Sequence, residues 1–478
     1  MLGFASMNGF AARAGLFAFL VACGTSGDDS APAGPTPPPG GENPGNTPGG
    51  ENPGGTVPDP KDGNPDDPWM PPNETGPVAF PYTAYRCGYP VRQVAPSKPA
   101  AAFHDDVGAG APKNLHLTIP GNGASSVAIQ WSTDDATKAT EVRFGETPDK
   151  LDKIARGFSF TYGVADRRQH EVHLCGIKSG KTYYYDAGGS KARSAVASFT
   201  TAPDAATEVK VLVVGDTRSD PSVMKAMEPK MLSHGATVMV TTGDAVEAGG
   251  NQAQWDAFYG AAPKLFAQVA GIYAHGNHED LDELYFAQNA FADNTGTAGI
   301  EEWFSNSYGP VRFVTLNETV SSAAMITGVQ RAFLENTLKG TDRKRYPWVI
   351  ANHHMPFYTT SNGHTANTTT RGAWAPLFDQ YHVDVDLSGH VHSYETSLAL
   401  KGGNKSSEGQ VVSDAQGTRY FVFGGGGAPL YGFKAAQSYI AKRESVHGYA
   451  LMTINPTSLK WDAYRQDGSL IETITIAK

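Results

Sequence analysis

Two short, nearly unbroken apolar runs, Lys210 to Val214 and Val238 to Thr242, and an apolar-alternating one, Val383 to Leu387, each lead within two residues to a glycine followed by an ionisable side chain. A strand that is apolar along its length must be covered on both faces, as parallel strands are between layers of helix. Helix-compatible segments such as Ser222 to Ser233 lie between the runs, and further strand-like stretches follow at Val311 to Leu316 and Trp348 to Ala351. The chain from 207 to 478 is therefore expected to form one large α/β domain. Its tail, Arg419 to Phe423, Gly448 to Ile454, Leu459 to Arg465 and Ser469 to Ile476, reads as antiparallel, with a hairpin-like turn at Gln466-Asp467-Gly468.

In open α/β sheets ligands collect beyond the carboxyl ends of the strands, where loops converge. Five such ends carry potential metal ligands. They are Gly215-Asp216-Thr217-Arg218, Gly243-Asp244 with Glu247 three residues on, Gly276-Asn277-His278-Glu279, Asn352-His353-His354-Met355-Pro356 and Gly389-His390-Val391-His392. Histidines at i and i+2 within a strand face opposite ways, but past its end both can turn to one centre. Carboxylate, amide oxygen and imidazole without thiolate suit Zn, Mn, Fe or Mg and disfavour a structural zinc knot. Two aspartates, an asparagine and three histidines exceed the needs of one four-coordinate ion, so two metals bridged by one carboxylate are expected. Singly, each cluster reads more readily as a turn former or a satisfied core or surface group; it is the five in order that point to metal. The run Gly424 to Gly427 lacks the Lys-Ser/Thr of a P-loop and reads as a place of close backbone approach.

Residues 113–203 read as short strands at Leu115 to Ile119, Ser126 to Ser132, Glu141 to Gly145, Gln169 to Leu174, Thr182 to Ala187 and Ala195 to Thr200. This spacing predicts an all-β sandwich of the fibronectin or immunoglobulin type, with Tyr183-Tyr184-Tyr185 as packing. In front lie an extension, 80–112, and a Pro/Gly-rich stretch, 23–79, with too little apolar content to fold, expected to act as a disordered tether of roughly 40 Å mean reach. Residues 1–22 read as a signal peptide whose apolar core falls well short of the roughly 20 residues that span a bilayer. Leu20-Val21-Ala22-Cys23 is similar to a bacterial lipobox, which would anchor the chain by a lipid on Cys23 at the cell envelope; the alternative is an ordinary secretory or periplasmic signal. In an exported protein Cys87 and Cys175 suggest one disulfide, with two free buried thiols as the alternative. A net charge of −10 without long basic runs argues against a nucleic-acid partner.

Taken in order, the five clusters resemble those of the calcineurin-like metallophosphoesterases, and within them the purple acid phosphatases. Gly389 to Glu395 and Gly276 to Glu279 carry most of the resemblance, with His354-x-Pro356-x-Tyr358. His173-x-Cys175-x-Ile177 and Tyr183 to Tyr185 resemble that family's N-terminal β domain, and Glu444 to Tyr449 with Trp461 to Gly468 its tail. The resemblance implies two mixed sheets flanked by helices. It makes Asp244 the bridging carboxylate, with Asn277, His354 and His390 completing the second metal position and Asp216 and His392 at the first. His278 and His364 would face the substrate as catalytic groups, and Arg371 would lie on the rim of the His364 loop.

Two departures bear on the first position. Purple acid phosphatases carry a tyrosine where this chain has Glu247, so the colour of a ferric tyrosinate is not expected; many other metallophosphoesterases carry a histidine where this chain has Arg218. Either Glu247 ligates directly, favouring Mn, Mg or Zn, or it pairs with Arg218, whose guanidinium supplies charge and binds substrate. Two divalent or mixed-valence ions bridged by hydroxide imply hydrolysis of a phosphate monoester. A phosphodiesterase or nucleotidase on the same metals, or a non-catalytic surface-anchored binding module, are the alternatives.

Overall fold

The strand Val209–Val214 pairs in parallel with Val238–Thr241, which pairs in parallel with Ala270–Tyr273, while Gly448–Asn455 runs antiparallel along its other side. The three parallel strands, buried throughout but for Lys210, form with Gly448–Asn455 the middle of a twelve-stranded sheet completed on one side by Ser458–Arg465 and Leu470–Ala477. The computed structural model describes residues 77–78, 80–83, 86–87, 89–91, 100–102, 108–203, 205–291, 301–320 and 322–478. The expected signal peptide, Cys23 and the tether lie outside the described residues.

A second, seven-stranded sheet has the order Phe304–Tyr308, Val311–Thr315, Trp348–Asn352, Val385–Ser388, Arg419–Phe423, Tyr394–Ser397 and Ile440–Glu444. From Val311–Thr315 to Arg419–Phe423 its strands are parallel. Helices pack on the two sheets. Pro221–Ser233 starts at Asp220, whose carboxylate accepts from Ser222 N, with proline at its first position; Gln252–Ala261 is capped by Asn251 and Thr368–Tyr381 by Asn367. Two apolar cores result, one following the large sheet and one around Trp303, Phe357, Trp374 and Phe378.

The N-terminal β region forms a four-stranded sheet, Ala197–Thr200, Thr182–Gly188, Glu141–Gly145 and Lys153–Arg156, facing Lys113–Thr118, Ser126–Thr133, Arg168–Cys175 and Phe158–Phe160. The latter group joins the α/β sheet through one parallel pair, Thr118 with Gly271, so a single sheet runs across both regions. Lys153–Arg156 and Phe158–Phe160 escape the sequence reading, being too short to show a period. Tyr183 and Tyr185 are buried, as packing requires. Cys87 and Cys175 are joined by a disulfide.

Candidate metal centre

The carboxyl ends of the two sheets meet, and Asn352 Nδ2 donates across the seam to the Thr241 carbonyl at 3.2 Å. Asp216, Asp244 and His390 all lie just past strand ends with φ of 55°, 55° and 62°, which turns their side chains inward. Glycine is needed beside them. Gly243 has φ 89°, and a Cβ there would lie 2.8 Å from His354 Nδ1. At Gly424, in the run read as a close approach, a Cβ would lie 2.7 Å from Asp216 Oδ2.

Two groups of ligand atoms converge: Asp244, His354 and His390, and Asp216, Asp244 and His392. Asp244 belongs to both. Its Oδ1 lies 3.2 Å from His354 Nε2 and accepts the His278 amide at 3.0 Å. Asn277 Oδ1 lies 3.1 Å from His354 Nε2, and His390 Nδ1 lies 3.2 Å from the same nitrogen. Asp216 accepts the His390 amide at 2.9 Å through Oδ2 and approaches His392 Nε2 to 3.4 Å through Oδ1.

The histidine tautomers follow from the backbone. His354 Nδ1 faces the Thr242 carbonyl at 2.7 Å and His392 Nδ1 the Pro429 carbonyl at 2.7 Å. A carbonyl accepts only, so each Nδ1 carries a proton and each Nε2 is the nitrogen left facing the centre. Glu279, buried behind, accepts from the amides of Asp244, Ala245 and Gly276 at 3.0, 2.7 and 2.6 Å and so fixes two of the loops.

Electrostatics mark the place as one that attracts positive charge. Burial lowers the proton affinity of His354, but the Asp244 carboxylate facing it raises it to about 10. Burial pushes the Asp244 carboxyl up, and His354 outweighs this and holds it below the usual range. His390 is pushed down to about 2, by burial first and then by His354, and so is neutral with a lone pair to give. Next to the ligands, His353 is fully buried between Glu318 and Asp386, at 3.1 and 3.0 Å. It braces the loop and faces away from the centre.

His278 and His364 stand over the ligands. His278 Nδ1 donates to the Glu247 carbonyl at 2.7 Å, and its Nε2 lies 3.9 Å from Asp244 Oδ2. The His364 ring stacks on His390 with centroids 3.9 Å apart, and its Nε2 lies 3.3 Å from the Tyr431 hydroxyl. Burial, then His392, pulls the His364 pKa down. Tyr431, absent from the sequence reading, stacks on His392 at 4.2 Å and donates its amide to the His392 carbonyl at 2.9 Å. Its only signal is its position four residues past the Gly424 to Gly427 run, in a loop brought in by that close approach.

Two expectations are corrected. Arg371 lies inside the helix Thr368–Tyr381, buried, with Nε donating to the Asn404 carbonyl at 2.8 Å and Nη1 to that of Phe357 at 3.2 Å. Both groups are spent on the fold, so Arg371 is not a rim group. Glu247 stands outside both converging ligand groups. Its Oε2 accepts from Arg218 Nη1 at 2.6 Å and Ser219 Oγ at 2.7 Å, so of the two readings its pairing with Arg218 is the one adopted. Burial works against the Arg218 charge, and Glu247 and Asp244 more than restore it.

Residues 112–201 match the sequence profile described as purple acid phosphatase, N-terminal domain, residues 209–394 that of calcineurin-like phosphoesterase, and residues 417–473 that of iron/zinc purple acid phosphatase-like protein C. A phosphoenolpyruvate phosphatase of Allium cepa is 26% identical over 72% of this chain and 76% of its own, and a purple acid phosphatase of Glycine max is 27% identical over 76% and 84%. In fold the chain is similar to a purple acid phosphatase from yellow lupin (Lupinus luteus) seeds, with a TM-score of 0.66 at 20% identity, covering 77% of this chain and 74% of that one. The order of three matched profiles along one chain agrees with ligand groups built at five strand ends: this chain belongs to the calcineurin-like metallophosphoesterases, as a binuclear metallophosphatase of the purple acid phosphatase type.

Proposed function

We propose that this chain hydrolyses phosphate monoesters at a two-metal centre in which Asp244 is shared. The observation that carries the reading is the pair of converging ligand groups with that one carboxylate in common. The donor set fits two cations: each of His354 and His392 has its Nδ1 proton fixed on a carbonyl and its Nε2 turned inward, where a cation would take the place of any proton it holds. Asp244, Asn277, His354 and His390 would hold the second ion, Asp216, Asp244 and His392 the first, with Fe, Zn, Mn or Mg matching the ligand chemistry. Such ions supply neutralisation of phosphate charge and activation of water.

The chain's own groups do the rest. His278, its Nδ1–H spent on the Glu247 carbonyl, turns Nε2 toward the place of reaction and is the proton donor to the leaving alkoxide. His364 and Tyr431, linked at 3.3 Å, orient the ester from the opposite side. Arg218, paired with Glu247 beside the centre, is a further source of positive charge for the phosphate. Monoester preference is supported by the relative described as a phosphoenolpyruvate phosphatase. Placement at the cell envelope by a lipid on Cys23 is part of the same proposal and is supported by the N-terminal sequence pattern.

The test is elemental analysis of purified protein alongside hydrolysis of an aryl phosphate and its diester at several pH values. Turnover of the monoester, lost together with most metal in Asp244→Ala, is the expected result. Preferential diester turnover would make it a phosphodiesterase, and less than about one tight ion per chain without turnover a binding module.

A further inference from the structure

Arg218 enters the ligand set itself. His392 has one lone pair to offer, at Nε2, because its Nδ1 proton is held by Pro429. Arg218 Nη2 lies 3.3 Å from that nitrogen. A guanidinium only donates, so the lone pair that would bind a first metal ion is the one Arg218 takes. Arg218 Nε lies 3.4 Å from Asp244 Oδ2, on the shared carboxylate. Its side chain is 10% exposed, so the charge sits in a setting where solvent screens poorly.

We infer that Arg218 and the first metal ion are alternative occupants of one position. One lone pair cannot serve both, and two cations crowded onto His392 and Asp244 repel strongly in a buried site. The second position, with Asn277, His354 and His390, is free of this competition and fills first. For the first to fill, Arg218 must withdraw, and the structure offers it room: a cavity of about 230 Å³ lies beside it, lined in part by Ser219, Met224, Glu247 and Phe258. Glu247, with 46% of its side chain exposed, is able to follow and keep the ion pair. The centre therefore passes between one ion plus a guanidinium and two ions according to the free metal concentration. This rests on the ligand assignment proposed above.

Metal-stripped protein titrated with Co(II), followed by calorimetry and by the visible spectrum of the bound ion, tests it without substrate. Wild type is expected to show one tight equivalent and a second at least about a hundredfold weaker. Arg218→Met, uncharged and of similar length, should tighten the weak step at least about tenfold and leave the tight one alone; Arg218→Gln is the second variant should the first fail to fold. His392→Ala should delete the weak step only. Two equivalents bound with one affinity by wild type would overturn the inference. So would a weak step unchanged in Arg218 variants that keep the tight ion. Failure to bind any Co(II) would instead defeat the ligand assignment, and the inference with it.

Discussion

Asp216, Asp244 and His390 occupy the left-handed region of backbone space, where a residue with a Cβ costs on the order of 1–3 kcal/mol. All three carry candidate ligands, so the strain coincides with the chemistry. The clusters themselves were legible in the sequence because glycine and ligand stand together at each strand end. The partner of Glu247 was open to two readings, since only the folded chain brings Arg218 within 2.6 Å of it. Arg371 misled for a related reason: an arginine close in sequence to His364 lies on a helix that turns it into the core. His278 carries the residue-scale prediction. Its side chain touches Asp244 and Glu247 but belongs to neither ligand group. His278→Ala should therefore lower kcat by roughly 10²–10⁴ with metal content unchanged, measured by steady-state kinetics and elemental analysis. Loss of metal together with activity would make it a ligand.

At the scale of elements, strands were easier to read than helices. Glu141–Gly145 and Arg419–Phe423 match the expected bounds because alternation or apolar runs mark a strand locally. The helix Thr368–Tyr381 went unread because its start is a run of threonines and it contains Pro376. The loop before it, which carries His364, was marked in the sequence only through the family resemblance, yet is tied down by one carboxylate. Glu395, on Tyr394–Ser397 and 1% exposed, accepts from the Thr360 amide at 2.9 Å and from the hydroxyls of Thr359 and Thr360. Truncating it leaves these donors without their acceptor in a buried place. Glu395→Ala is expected to destabilise by on the order of 2–3 kcal/mol. It should also lower kcat/KM about tenfold through the loosened His364, again without metal loss. Glu395→Gln, which keeps an acceptor, should recover part of both. An alanine variant with normal kinetics would show that the loop is held by other contacts.

Across the whole molecule the β region and the α/β region share more than a linker. Besides the strand pair at Thr118 and Gly271, Tyr185 Oη donates to the Ala267 carbonyl at 2.8 Å, the Ala290 amide donates to Gln130 Oε1 at 2.8 Å, and Arg167 pairs with Asp256. Tyr185, Gln130 and Ala290 are buried, so opening that boundary would leave their polar groups unpaired. The disulfide acts on this same body from its edge. It spans 88 residues and fastens Cys87 to the last residue of Arg168–Cys175, where Tyr89 lies 3.0 Å from His173. Closing a loop of that length restricts the unfolded chain by about 4–5 kcal/mol in the entropic account, while none of the candidate ligands lies on the bridged segment. The Cys87→Ser, Cys175→Ser double variant should therefore unfold at a clearly lower denaturant concentration, yet keep wild-type kcat and metal content under native conditions. Because the sheet is continuous, that loss should shift the unfolding of the catalytic region too, read by loss of activity as well as by fluorescence. If fluorescence shifts and the activity midpoint stays in place, the two regions unfold independently and the shared sheet does not couple them.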